Sequence, residues 1–161
     1  MEENSFSKCE KKLTEEDIDV IENRLKIIFP SDFKRHYLLY NGGKPKKTLW
    51  VYPNGEWDDI EVRDFIPMRY SKAFGDDPDY TAEGRAIDGW AEKHLPMTLF
   101  PFAFDWGGNY FCLNIKDGSI SYFIRDVWSD SISTEKNLEI NTRPVADSFR
   151  VFVAGLALSD D

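Results

Sequence analysis

The clearest structural signal in the chain is the stretch FPFAFDWGGNYFCLNIKDGSISYF, residues 100–123. Apolar residues alternate with other residues on each side of two turns, which is the spacing of strands with one buried face. The turns, DWGGN at 105–109 and KDGS at 116–119, contain the glycines and the Asp-Gly pair that favour strand reversal. The stretch therefore predicts an antiparallel meander whose aromatic side chains are half-buried against helices.

Two helices are expected before this meander. Thr14 and Asp17 resemble a capping box, and apolar residues then recur every three or four positions until Pro30. The proline ends the first helix, and a second helix is predicted at 31–40. The sequence Asn-Gly-Gly at 41–43 supplies the left-handed backbone conformation with which helices commonly end.

The remaining segments complete a mixed pattern of helices and strands. Residues 48–68 read as a β-hairpin with Asn54-Gly55 at the reversal. A helix is predicted at 82–95, and a closing amphipathic helix is predicted at 145–156. This order of elements predicts an α+β fold, an antiparallel β-sheet flanked by helices that lie on one side of it.

Length and composition favour one compact domain. A chain of 161 residues can bury about two-thirds of its unfolded surface in a single core, and aromatic residues make up 15% of it. We expect a flexible N-terminal segment, 1–12, and a single domain, 13–158. The charged start lacks the apolar region of a signal peptide, and the two cysteines form no paired motif. A cytoplasmic location is therefore expected.

The charge balance limits the possible partners. The chain has 29 acidic and 20 basic side chains, a formal net charge of -9. This charge repels the phosphate backbone of nucleic acids and the surface of anionic lipids, so neither is an expected partner. An acidic surface suits a basic protein partner, although solubility alone accounts for the acidity of many proteins.

Residues that could perform catalysis or bind a metal are sparse. The two histidines, His36 and His94, lie in separate predicted helices with no nucleophile near either one in the sequence. The acidic runs at 58–61 and 76–79 lack the spacing of a calcium-binding loop, and no phosphate-binding glycine motif is present. We therefore expect no metal and no cofactor. A hydrolase with a carboxylate pair brought together by folding stays open as an alternative.

Three stretches resemble a known family: IFPSDFKRHYLLYNGG at 28–43, LFPFAFDWGGNYFCLNI at 99–115 and VADSFRVFVAGL at 145–156. In this order they are similar to the N-terminal helices, the central strand pair and the closing helix of the SUKH superfamily. That superfamily includes the fungal Smi/Knr regulators of cell-wall synthesis and many bacterial immunity proteins. The resemblance implies an α+β fold without catalytic residues, and it marks these fold determinants: Pro30, Asn41, Gly42, Gly43, Asp105, Gly107, Gly108, Asn109 and Phe149. Replacing Gly107 by valine is expected to lower the melting temperature, because the turn needs a glycine.

Bacterial members of the superfamily resemble antidotes that bind a toxin of a polymorphic or contact-dependent system, often a nuclease. The resemblance therefore implies an immunity protein that covers the active site or substrate groove of a basic toxin. Acids beside aromatic residues in two predicted loops are the expected toxin contacts: Trp57, Asp58, Asp59, Glu61, Asp76, Asp77, Asp79 and Tyr80. A regulatory scaffold without a toxin partner is the alternative, and the oligomeric state stays open.

Overall fold

A computed structural model describes residues 3–160, and the elements below are those of this range. A small sheet joins β1 (Phe6–Ser7) to β2 (Lys44–Pro45). The main antiparallel sheet has six strands, which follow the chain order across the sheet: β3 (Leu49–Trp50), β4 (Ile60–Phe65), β5 (Leu99–Asp105), β6 (Tyr110–Asn114), β7 (Ile120–Phe123) and β8 (Thr142–Ala146). The helices are α1 (Glu15–Leu25), α2 (Ser31–Leu39), α3 (Ala82–Ala91), α4 (Thr134–Ile140) and α5 (Phe149–Gly155). The predicted α+β fold and its central meander, β5 to β7, are confirmed.

The main core is aromatic and lies between the meander and two helices. Phe149 of α5 has its ring centroid 5.1 Å from that of Phe102 of β5 and 5.0 Å from that of Phe33 of α2. All three side chains are fully buried. Each such side chain contributes roughly 1.5–3 kcal/mol through burial of its apolar surface, so this cluster fixes how α2 and α5 pack on the sheet.

Helices cover both faces of the main sheet, whereas the sequence predicted helices on one side only. Phe111 of β6 contacts Phe152 of α5, with ring centroids 5.5 Å apart. The preceding residue, Tyr110, lines a groove together with Asp88 and Glu92, which extend from α3. Since neighbouring residues of a strand point to opposite faces, α3 lies on the face opposite α5. Hydrophobic periodicity does not encode which face a helix covers.

The predicted capping box of α1 is confirmed. The Thr14 side chain accepts a hydrogen bond from the Asp17 N–H, and the Asp17 carboxylate accepts one from the Thr14 N–H. The helix ends at Leu25, earlier than predicted, because Lys26 adopts a left-handed conformation with φ of 58°. Pro30 forms the N-terminal cap of α2 instead of ending α1.

The region before the closing helix differs from the prediction. Val145, predicted to be helical, lies in strand β8, and α5 begins only at Phe149, after a Ser148 cap. Pro144 is tolerated in β8 because this strand is at the edge of the sheet. Helix α4 was not predicted.

The N-terminal segment that was predicted to be flexible is held in place from Asn4 onward. Asn4 Nδ2 donates to the Lys47 carbonyl over 2.9 Å, and the ring of Phe6 lies 5.0 Å from that of Phe65. The Glu10 carboxylate accepts hydrogen bonds from the N–H groups of residues 72 and 73. Within 1–12, Met1 and Glu2 lie outside the described residues.

Asp105 organises the turn between β5 and β6. Its Oδ1 atom accepts hydrogen bonds from the N–H groups of Gly107 (2.9 Å) and Asn109 (2.8 Å). The Asn109 side chain donates to the Tyr122 hydroxyl and accepts from the Arg125 N–H. Tyr122 in turn donates to Asp105. The turn is therefore tied to β7 and to the segment that follows it.

The positive backbone angle of this turn lies at Gly108, not at Gly107 as the sequence suggested. Gly108 has a φ of +86°. A Cβ atom on Gly107 would make only ordinary contacts, the nearest at 3.5 Å from Asp105 Oδ1. Backbone strain from a substitution in this turn is therefore expected at Gly108 and not at Gly107, where the sequence had suggested it.

We expect Gly108→Ala to lower the free energy of unfolding by about 1 kcal/mol, because an L-residue is strained at this angle. The matched change Gly107→Ala should cost about 0.5 kcal/mol or less. Thermal unfolding of both variants checks this. A larger loss in the Gly107 variant than in the Gly108 variant would contradict the assignment.

Across residues 3–160, the helices are all too short or too polar to cross a lipid bilayer.

Candidate protein-binding groove

The predicted toxin contacts fall into two groups in the structure. The hairpin group consists of Trp57, Asp58, Asp59 and Glu61, in and beside the loop between β3 and β4. Asp58 and Asp59 are exposed, whereas Trp57 is half-buried. The loop group consists of Asp76, Asp77, Asp79 and Tyr80, between β4 and α3.

The members of the hairpin group do not share one face of the sheet, and Trp57 lies on the face that carries α5. The ring of Trp57 lies under the guanidinium of Arg143, 5.7 Å from centroid to Cζ. Arg143 pairs with Tyr122 across β7 and β8, and Tyr122 pairs with Phe111, which contacts α5. Directly opposed residues of neighbouring strands share a face, so Trp57 is on the α5 side. Glu61 points to the other face, because the preceding residue, Ile60, opposes Trp50, whose ring lies 5.6 Å from that of Phe152 in α5.

The loop group is built on a short 3-10 turn. Asp77 Oδ1 accepts a hydrogen bond from the Asp79 N–H over 2.9 Å, and the Ser71 hydroxyl donates to the Asp77 carbonyl over 2.7 Å. Asp76 is exposed with a φ of 60°, and it does not line the groove described below. The remaining three members of the group do line it.

Gly84 and Thr81 hold this turn against the start of α3. A Cβ atom at Gly84 would lie 2.1 Å from the carbonyl oxygen of Pro78, so only glycine allows this approach. The Thr81 hydroxyl donates to the same carbonyl and accepts from the Gly84 N–H. The glycine that weakens the helix pattern in the sequence therefore positions the acidic loop.

The aromatic side chains of this loop are ordered by an arginine. The rings of Phe74 and Tyr80 are stacked, with centroids 5.5 Å apart. The Arg85 guanidinium lies 5.6 Å from the Tyr80 centroid and 5.9 Å from that of Phe74. Arg85 Nε also donates to the Tyr80 carbonyl over 3.2 Å. The loop thus presents an exposed aromatic pair in a defined position.

The acidic groove is a concave surface of about 510 Å³ between the loop group, α3 and the sheet. Asp88 and Gly89 follow Arg85 by three and four positions, and Glu92 follows them by four and three, so one face of α3 and its C-terminal end contribute all four. The complete lining is Asp77, Asp79, Tyr80, Arg85, Asp88, Gly89, Glu92, His94, Leu95, Tyr110 and Arg125.

Carboxylates outnumber cations in the acidic groove. Four carboxylates line it against two guanidinium groups. Arg125 is directed to the wall, with its guanidinium 4.2 Å from the Tyr110 centroid and Nη1 donating to the Gly108 carbonyl. Within residues 3–160, neither guanidinium forms an ion pair with a carboxylate of the groove. The groove is therefore suited to a positively charged group.

The sequence prediction identified Asp77, Asp79 and Tyr80 but missed the other lining residues. The contribution of α3 was detectable in principle from the helical spacing of residues 85, 88 and 92. The contribution of Tyr110 was not, because it depends on which face of the sheet α3 covers. The structure separates the hairpin group from this groove, because none of its four members lines it.

The two histidines lie on opposite faces of the main sheet. His36 packs in the core beside Phe6 and Phe149, with ring centroids 4.8 and 5.0 Å away. Burial lowers the pKa of His36 to about 4. His94 lines the acidic groove, 5.8 Å from the ring of Trp128. Among residues 3–160, no cluster of three or more His, Cys, Asp or Glu side chains is arranged to hold a metal ion.

His36 should make the fold sensitive to acid. Its ordinary pKa is about 6.5, so below that pH the unfolded chain takes up a proton that the folded chain resists. Stability that is present above about pH 6.5 is then lost as the pH falls towards 4. Between pH 7 and about 4.5, the wild-type chain should lose about 2 kcal/mol more than His36→Phe, which removes this titration.

Urea unfolding at several pH values measures this difference. His94→Phe, which leaves His36 in place, is the matched control. Parallel profiles for the wild type and His36→Phe would show that His36 does not cause the loss.

A family model described as SMI1 / KNR4 family (SUKH-1) matches residues 12–155 of the chain. This range contains all elements from α1 to α5 and all residues of the acidic groove. No curated protein matches the sequence.

Proposed function

Since this chain belongs to the SMI1/KNR4 family (SUKH-1), we propose that it is a non-catalytic immunity protein that binds and neutralises a cognate bacterial toxin. The proposed toxin is a nuclease of a polymorphic or contact-dependent system. The protein would act in the cytoplasm, by covering the active site or substrate groove of the toxin.

The acidic groove is the observation that supports this proposal. It combines a concave shape, an excess of carboxylates and an exposed aromatic residue, Tyr80. Aromatic side chains are enriched at protein interfaces and often supply much of the binding energy. A surface of this kind suits a macromolecular partner better than a small apolar ligand.

The charge explains the choice of a nuclease. A nuclease must attract the phosphate backbone of its substrate, so its substrate groove is positively charged. A chain with a net charge of -9 and an acidic concave surface would be attracted to that groove. Complementary charge would speed the encounter and exclude partners of the wrong charge.

The proposal is tested by affinity capture with the tagged chain from a lysate of its source cells, followed by mass spectrometry. The captured partner is then expressed in a bacterial host with and without this chain. We expect one stoichiometric partner with a basic domain, which arrests growth when it is expressed alone and is harmless when it is co-expressed.

Two results would contradict the immunity proposal. A captured partner that is harmless when expressed alone would not be a toxin. Capture of several housekeeping or cell-envelope proteins in place of one basic partner would favour the regulatory scaffold, the other role known in the family.

A further inference from the structure

We propose that the acidic groove, and not the hairpin group, takes the partner, and that it receives an arginine side chain from a loop of that partner. This inference rests on the proposed function in one respect, namely that the partner is a protein. It adds which surface makes the contact and which chemical group the surface binds.

Three of the four carboxylates of the groove lack partners among the residues that the structure describes. Asp79, Asp88 and Glu92 form no side-chain hydrogen bond or ion pair with any residue between 3 and 160. By comparison, the buried Asp17 and the half-buried Asp64 are paired with arginine or lysine. Three carboxylates around one concavity therefore have their full capacity to accept hydrogen bonds from a bound cation.

The two arginines of the groove do not satisfy these carboxylates, because both are held by the chain itself. Arg85 donates to the Tyr80 carbonyl, and Arg125 donates to the Gly108 carbonyl. Each guanidinium also lies over an aromatic ring. They form part of the wall and leave the carboxylates facing the concavity unneutralised.

One exposed aromatic residue lines the groove, and a second contacts a residue of its wall. Tyr80 is 46% exposed at the loop group, and Trp128 is 42% exposed beside His94. Exposed aromatic residues next to a concavity are typical anchors of interfaces. The groove therefore offers both a polar centre and an aromatic rim.

Both sides of the rim are rigid before any partner binds. Gly84 and Thr81 fix the turn that carries Tyr80, as described above. On the other side, Asn137 accepts from the Ser129 N–H over 2.9 Å and donates to the Ser129 carbonyl over 2.8 Å, which fixes the loop that carries Trp128. A surface that is already ordered loses little conformational entropy on binding.

These features select arginine among cationic groups. The planar guanidinium can form paired hydrogen bonds with carboxylates and can stack on aromatic rings at the same time. The ammonium group of lysine is a compact charge and does neither in the same way. The combination of free carboxylates with Tyr80 and Trp128 on the rim is therefore matched to arginine.

A hexa-arginine peptide is the probe, and isothermal titration calorimetry at low ionic strength measures its binding to the intact chain. The groove variant is Asp79→Asn, Asp88→Asn and Glu92→Gln. The control variant is Glu56→Gln, Asp58→Asn and Asp59→Asn, which removes the same charge from exposed residues of the hairpin loop, outside the groove. Because all six side chains are exposed, both variants should fold, and circular dichroism verifies this.

We expect the groove variant to bind the peptide about tenfold more weakly than the wild type, and the control variant to bind within about threefold of it. Amide resonances of residues 77–95 should shift on peptide addition, and those of 56–61 should stay in place. Equal weakening in both variants would mean that the peptide senses only the net charge, and absence of binding to the wild type would mean that the groove is no arginine site. Either result overturns the inference.

A second experiment separates this inference from the immunity proposal. In the co-expression assay, full protection by both the wild type and the groove variant would contradict binding through the acidic groove. The same result would still support the immunity role. A partner that is captured but not toxic would overturn the immunity role. The groove inference would then stand if the groove variant failed to capture that partner while the control variant captured it.

Discussion

Phe149→Ala should lower the free energy of unfolding by about 3–5 kcal/mol, a large part of the total stability of a domain of this size. Phe149 is fully buried at the start of α5 and contacts rings from α2 and β5. It also contacts His36 and Phe65. Alanine would leave a cavity between rigid aromatic rings that cannot collapse to fill it.

Urea unfolding followed by tryptophan fluorescence measures this loss. Val151→Ala on the same helix is the matched control, because Val151 is 52% exposed, and we expect it to cost about 0.5 kcal/mol or less. A loss below about 1 kcal/mol for Phe149→Ala would mean that α5 is not packed on the sheet as described.

Asn41→Ala should lower the free energy of unfolding by about 2–4 kcal/mol, because it leaves several buried backbone groups without partners. Asn41 Nδ2 donates to the Lys11 carbonyl (3.0 Å) and to the Met68 carbonyl (2.9 Å). Its Oδ1 atom accepts from the Met68 N–H over 2.8 Å. The side chain is 1% exposed and connects the segment before α1 with the segment after β4.

The matched control for this prediction is Asn54→Ala, in the exposed hairpin loop. Its hydrogen bond to Glu56 is exposed to solvent, so we expect a loss of about 0.5 kcal/mol or less. Thermal and urea unfolding of both variants give the comparison. Equal stability of Asn41→Ala and the wild type would show that water replaces the three hydrogen bonds, contrary to the burial of this site.

Local sequence signals were sufficient for the meander and for α1 and α2. The alternation within 100–123 and its two turns corresponds to β5, β6 and β7, since each strand pairs with its neighbour in the chain. The capping box at Thr14 is likewise a contact between residues three positions apart. Both signals depend only on short-range geometry, which the sequence displays directly.

The errors arose where long-range packing decides the structure. Residues 145–156 have apolar spacing that suits a helix, yet their first part pairs with β7 as an edge strand. The segment 3–12 is polar, yet its residues contact β2 and the loop before α3. In each case the contacting residues are distant in the sequence, and the local sequence pattern does not indicate them.

The candidate groove was predicted in part for the same reason. Asp77, Asp79 and Tyr80 were identified because acids and an aromatic residue are adjacent in the sequence. Arg125 and Tyr110 join them only through the pairing of β6 with β7 and the packing of α3 on the sheet. A binding surface assembled from separate elements becomes visible only when the topology is known.

Hydrogen–deuterium exchange on the complex with the captured partner tests binding through the acidic groove most directly. We predict slower exchange at the backbone amides of 77–95 and 108–128, with the hairpin at 51–61 unchanged. Slower exchange confined to the hairpin, with the groove unchanged, would place the partner on the hairpin and contradict the proposed binding surface.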